Sequence, residues 1–147
     1  MSSTPHKPGL VLSLCPDLPA RTALELIAAC GSAAAVLIEE RGRLLAAGLS
    51  ATAVDFLRAP EDPRLTAAAD WLAAPGRHLI DLDDPAYPPL LIESGEPPLC
   101  LFVAGDPTVL SLPQIAIVGS RKATPGGRET AREFAAFLSS AGFAVTS

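Results

Sequence analysis

Two histidines and three cysteines are the only imidazole and thiol ligands that this 147-residue chain offers a transition metal. Cys15, Cys30 and Cys100 lie far apart, and no two of them make a close pair. A zinc site draws four such ligands from short, regular spacings, so with only His6 and His78 beside them the sequence predicts no metal site and no cofactor. An odd number of separated cysteines is also no disulfide framework and fits the reduced thiols of a cytoplasmic protein. Aromatic residues make up only 5%, so the core has to be built from Leu, Ile, Val and Ala. No apolar run approaches the roughly 18 residues of a membrane span. The start, MSSTPHKPGLVLSLC, lacks the long apolar stretch and cleavage site of a signal peptide. A cytoplasmic location without a membrane partner is expected.

What is present is enough for a core. Hydrophobic residues reach 49%, which argues against disorder over most of the length. The net charge of -5 speaks at first against a nucleic-acid binder. It is unevenly spread. Residues 1–114 carry seven Lys and Arg against fourteen Asp and Glu, whereas residues 115–147 carry Arg121, Lys122, Arg128 and Arg132 against Glu129 and Glu133. The last stretch is therefore locally positive on an acidic chain.

The chain changes its pattern once. Residues 1–8 read as a loose terminus and 9–75 as a helical domain. In "LPARTALELIAACG", Leu24, Ile27 and Ala28 share a face and Gly31 ends the helix; Ser32 caps "SAAAVLIEE", which runs to about Gly42. Ser50 caps a further helix that stops before Pro60, and Pro63 opens another carrying Leu65, Ala68, Ala69 and Leu72 at helical spacing. After Pro75-Gly76 the text turns to short apolar runs, "HLIDL", "LCLFV" and "QIAIV", followed by a helix of about 16 residues and a last strand, "FAVTS". The helix has Thr124 as its cap, Pro125 at its first position, Gly142 at its end and an apolar stripe of Ala131, Phe134, Ala135 and Leu138. Strand, helix and strand within about 33 residues make a βαβ unit of a parallel sheet. Because one such unit is not a stable sheet, the sequence is expected to be a fragment or truncated product ending inside a fold.

The informative stretch is "IAIVGSRKATPGG". Ligands of open α/β sheets bind beyond the carboxyl ends of the strands, and the loop after Val118 is such a place. Gly119 suits a sharp turn and a close approach by a ligand. The first N–H groups of the following helix are unpaired and its dipole is positive there, which favours an anion, usually phosphate. Ser120 and Thr124 add hydroxyl groups, and Arg121 can hold a phosphate through two parallel hydrogen bonds. Lys122 joins this set as the member closest to a merely solvated neighbour. Arg128 and Arg132 lie on the polar side of the helix, within range of Glu129 and Glu133, and read as surface ion pairs. The loop is no dinucleotide fingerprint, since Arg121 stands where G-x-G-x-x-G needs its second glycine, and no P-loop. Spacing alone leaves open a phosphate site or an ordinary strand-to-helix turn.

Three segments in order, "DPAYPPLL" (84–91), "PPLCLFVAGD" (97–106) and "IAIVGSRKATPGG" (115–127), resemble the DNA-processing protein A family (DprA, also called Smf). Tyr87-Pro88, Leu91, Pro98-Leu99, Gly105 and Val118-Gly119-Ser120-Arg121 with Thr124 carry the likeness, which runs from about residue 80 to the end. It implies an α/β architecture: a small helical bundle, similar to a sterile-alpha-motif or helix-hairpin-helix domain, followed over 76–147 by the start of a Rossmann-like parallel sheet. It further implies a cytoplasmic protein that binds single-stranded DNA, protects it during natural transformation and loads the RecA recombinase, with no catalytic residues. Arg121 carries over as a phosphate contact, Gly119 and Ser120 as the loop that shapes the pocket. Two departures stand out. Gly126-Gly127 replaces the family's Tyr-Gly after Thr-Pro. The chain also stops where the family continues with further basic residues, a homodimer surface and the recombinase surface.

Other residues read more plainly. Asp81, Asp83 and Asp84 cluster after a strand in a way that suggests a metal or an acid–base pair, but the spacing lacks further ligands, and they read as turn chemistry before Pro85. Trp71 and Tyr87 are of the type that stacks on bases in single-strand binders, but Trp71, with Leu72, reads as core, and Tyr87 as packing for its turn. Two other readings stay open: a Rossmann-like hydrolase of nucleotide N-glycosidic bonds, and an adaptor acting through its helices without binding DNA.

Overall fold

The computed structural model describes residues 6–147. The chain forms two compact units, one up to Asp106 and one over Pro107–Ser147.

The first unit holds helices α1 (Pro8–Leu14), α2 (Ala20–Cys30), α3 (Ala33–Ile38), α4 (Arg41–Ala46), α5 (Ala51–Arg58) and α6 (Pro63–Leu72). Strand β1 (Arg77–Asp81), the single-turn α7 (Pro89–Ile92) and strand β2 (Cys100–Ala104) complete it. The helices are short because the sequence keeps ending them. Gly31 takes a left-handed φ of 93° at the end of α2, which costs glycine nothing. Ser32 and Ser50 accept hydrogen bonds from the N–H groups of Ala35 and Ala53, both at 3.1 Å, and Asp62 accepts one from Arg64 at 2.8 Å. Each side chain satisfies one of the donors that a helix start leaves unpaired.

Two details depart from the sequence reading. The segment after Ser32 stops at Ile38, and Gly42 lies inside the separate α4 rather than at a helix end. The apolar run after Pro8 forms α1, with Gly9, Leu10, Val11 and Leu12 all buried. A continuous apolar run has no 3.6-residue period by which to recognise a helix. Of the terminus expected to be loose, residues 1–5 lie outside the described residues, while Lys7 pairs with Asp84 at 3.4 Å.

One core joins these elements. Leu12, Val36, Leu44 and Val54 are fully enclosed, and Leu79 of β1 and Leu99 beside β2 belong to the same cluster. That packing places the hairpin with the helices, so the boundary between compact units falls well beyond Pro75-Gly76. β1 and β2 pair antiparallel, Leu79 opposite Phe102 and Asp81 opposite Cys100. Their connection contains only the four-residue α7 and lacks the crossover that a parallel pair requires.

The second unit is the βαβ element the sequence predicts. A 3-10 turn (Pro107–Ser111) leads to β3 (Gln114–Ala116), α8 (Pro125–Ser140) and β4 (Ala144–Thr146). β3 and β4 are parallel, with Ile115 opposite Val145, and the N–H of Ile117 extends the ladder to the Thr146 carbonyl at 2.8 Å. α8 turns Ala131, Ala135 and Leu138 toward the sheet, but Phe134 remains 60% exposed. Two three-residue strands are too narrow to cover the whole stripe.

Candidate functional site

The loop from Ile117 to Thr124 connects the carboxyl end of β3 to the amino end of α8. Its last residue is fixed by the helix. Thr124 is extended at φ -66° and ψ 158°, its Oγ1 accepts from the Gly127 N–H at 3.1 Å, and its carbonyl accepts from the Arg128 N–H at 3.0 Å. Pro125 follows at the first helical position, where a missing N–H costs no hydrogen bond. Gly127 packs closely here, since a Cβ on it would stand 3.2 Å from the Thr124 hydroxyl. Earlier in the loop Ser120 Oγ accepts from the Lys122 N–H at 3.1 Å, folding the Ser-Arg-Lys tip into a turn.

A depression of about 580 Å³ lies over this junction. Gly119, Ser120, Lys122 and Thr124 line it, together with Gly127 and Arg128. Four of the five residues expected in a phosphate site thus come together. Arg121 is exposed at the tip of the same turn and does not line the depression. Gly119 has open space where a Cβ would be and does not adopt a positive φ. Its backbone conformation is open to other residues, and what glycine offers here is room above the loop.

Charge sharpens the picture. Arg132 is taken up by Glu129 at 2.8 Å, as its spacing suggested. Arg121, Lys122 and Arg128 have no carboxylate partner among the described residues. Arg128 is the member that sequence reasoning placed among surface ion pairs. The available signal was its position four residues after the cap, one turn into the helix, where a side chain can reach back over the helix start. Three cations without a carboxylate partner beside a helix amino end form a place that attracts anions.

The three aspartates of the other unit are occupied structurally. Asp83 accepts from the Ala33 N–H at the start of α3 at 3.3 Å, and Asp84 accepts from Ala86 at 3.0 Å and pairs with Lys7. Asp81 is buried and accepts from the Gly9 N–H at 3.2 Å through Oδ2, while its Oδ1 has no partner. Burial pushes its carboxyl above the ordinary carboxylate range, against the opposing pull of the Gly9 N–H and Lys7. Burial, with Asp17 nearby, likewise pushes the Cys15 thiol up to about 11, away from the nucleophilic thiolate. Tyr87 packs its turn and donates its hydroxyl hydrogen to the Pro98 carbonyl at 2.8 Å. Trp71 departs from the sequence reading: it is half-buried at the end of α6, outside the enclosed core.

The fold and the loop together define a class, an α/β protein with a helical part and the start of a Rossmann-like domain whose first βα loop is cationic. Residues 78–147, just under half of the chain, match the family model described as DNA recombination-mediator protein A. The chain is also 39% identical over 77 residues to Protein Smf of Escherichia coli (strain K12). That match covers 52% of this chain and 21% of Smf, so the chain spans about a fifth of the length of this curated relative. No helix among the described residues is long and apolar enough to cross a membrane.

Proposed function

We propose that this chain binds single-stranded DNA through the loop after β3 and serves a cytoplasmic recombination mediator. Gly119, Ser120, Arg121, Lys122 and Thr124 form the phosphate-gripping set, and Arg128 is added to it. The observation that carries the reading is the group of Arg121, Lys122 and Arg128, none paired to a carboxylate among the described residues, at the amino end of α8. It lies within the segment matched by the recombination-mediator family model. A phosphodiester laid over the loop meets the helix dipole and fixed cations, with Arg121 at the tip able to contact a second phosphate. Such contacts position a strand without reading its bases, so weak sequence preference is expected. No catalytic step is assigned to the chain. Protection of incoming DNA in natural transformation, loading of RecA and homodimer formation belong to the same proposal and draw their support from the family match alone.

Fluorescence anisotropy of a labelled oligo-dT, across a salt series, tests the site. The wild type should bind at low salt. Arg121→Ala and Arg128→Ala should each bind more weakly, with a salt slope smaller by about 0.7 for each lost phosphate contact on a single strand. A wild type that binds no single strand at low salt removes the proposal. Wild-type binding that neither variant disturbs places the contact elsewhere.

A further inference from the structure

Trp71 is the only tryptophan of the chain, and it stands at the surface with a second aromatic ring. Phe102 of β2 packs against it edge to face, with ring centroids 5.3 Å apart and planes at 82°. The Arg77 guanidinium carbon lies 4.4 Å from the centre of the Trp71 ring, a cation held on an aromatic face. Phe102 is 47% exposed. The two rings, with Ala67, Ala68 and the stem of Arg64, line an open depression of about 380 Å³. A T-shaped pair fixes both rings without either covering the other completely, so aromatic surface stays available to a ligand.

The charges around the rings narrow what that ligand is. The unit up to Asp106 has only seven Lys and Arg against fourteen Asp and Glu, yet two of the seven frame this one patch. Arg64 is neutralised by Asp62, with bonds of 2.9 and 2.7 Å to its two oxygens. Arg77 forms no ion pair with a carboxylate among the described residues. The patch therefore offers flat aromatic surface, an apolar floor and one uncompensated cation. A nucleotide of a single strand has the matching parts, a base with a π-face and a phosphate one backbone step away.

We propose that the Trp71–Phe102 patch is a second contact for single-stranded DNA, stacking a base on its rings while Arg77 meets a neighbouring phosphate. The proposal rests on the single-strand binding proposed above and adds a contact in the unit up to Asp106, where Trp71 and Arg77 precede the segment matched by the family model and Phe102 lies within it.

Because Trp71 is alone, intrinsic tryptophan emission reports on this patch and nothing else. Two parallel titrations of the whole chain are the test: anisotropy with labelled oligo-dT, and Trp71 emission with the same strand unlabelled, so that no energy transfer to a dye mimics contact. Emission should fall with the same midpoint as the anisotropy rise. Phe102→Leu should weaken binding about fivefold or more while leaving the salt slope unchanged, and Phe102→Tyr should restore it. Arg77→Ala should weaken binding and lower the slope by about 0.7. If anisotropy reports binding while emission stays flat and Phe102→Leu binds as wild type, the patch is no DNA contact. The loop reading then stands alone. If neither signal moves at low salt, both proposals fall.

Discussion

The two units of this chain handle apolar surface in opposite ways. In the unit up to Asp106, short helices and a hairpin surround one cluster in which Ala23, Val36, Leu44, Ala53 and Val54 have essentially no exposure. In Pro107–Ser147 no residue is fully buried, and Val118, Phe134 and Phe137 are 86%, 60% and 70% exposed. Secondary structure is equally regular in both, down to the caps. Regular hydrogen bonding therefore does not by itself make a core. Enclosure needs elements on several sides of an apolar face, and a two-stranded sheet under one helix supplies a single side. The acidic, well-packed unit carries the stability, and the cationic, open one carries the loop proposed to meet DNA.

Hydrogen exchange tests that contrast most directly. Core amides in α2 and α5 should exchange only on global unfolding. Those of α8 should open locally, about a hundredfold faster or more. Equal protection in α8 and α5 would mean that the second unit has cover its exposure does not reveal. Substitutions make the same comparison residue by residue. Leu44→Ala leaves a cavity in the enclosed cluster and should cost about 2–5 kcal/mol in urea unfolding. Phe137→Ala removes a larger side chain from the surface and should change stability by about 0.5 kcal/mol or less.

Glycines sharpen the contrast further. A Cβ on Gly9 would lie 2.4 Å from the Leu99 carbonyl oxygen and 2.9 Å from Asp81 Oδ1. Backbone cannot yield as a side-chain tip does, so Gly9→Ala should cost about 1–3 kcal/mol as α1 is pushed from the hairpin. A Cβ on Gly119 meets nothing within 4 Å. Gly119→Ala should leave the urea midpoint in place and weaken oligo-dT binding, because the added methyl occupies the space reserved for the ligand. A loss of stability at Gly119 equal to that at Gly9 would contradict the openness of the loop.

These residues also mark what the sequence makes legible. Local rules identified Ser32, Ser50 and Thr124 as caps, Gly31 and Gly142 as helix ends and the β3–α8–β4 order, because each depends on neighbours a few positions away. The cationic loop was legible for the same reason. What escaped depends on distant partners. The burial of α1 is decided by β1 and β2, some 70 to 90 residues later in the chain. Phe134 fits a core stripe by period but needs a wider sheet to cover it. Trp71 reads as core beside Leu72 too, yet it stands half-buried against Phe102 and Arg77, partners that its own neighbours in the chain do not reveal. Arg128 looked like an ion-pair partner because Glu129 was near, yet Glu129 is taken by Arg132.

The subtlest expected effect concerns Asp81, where the packed unit holds a carboxylate it cannot fully satisfy. Desolvation raises its pKa, the Gly9 N–H and Lys7 oppose the rise, and Asp83 and Asp84 add to it. The Cys100 thiol, itself pushed up mainly by burial, is the other titratable group facing it. A carboxyl whose folded pKa lies above its unfolded value stabilises the fold while protonated, and that contribution is lost as pH rises through the folded pKa. Asp84 and Glu39, both held below their ordinary values, act in the opposite direction and lose their contribution as pH falls. The two effects separate in Asp81→Asn, which keeps the shape and removes the charge. The stability of the variant relative to wild type should increase as pH rises from about 4 to about 7, because only the wild type must ionise a buried group. Urea midpoints across that range measure it. Parallel curves would mean that Asp81 ionises in the fold as easily as in the unfolded chain, with water or Lys7 reaching the oxygen that now has no partner.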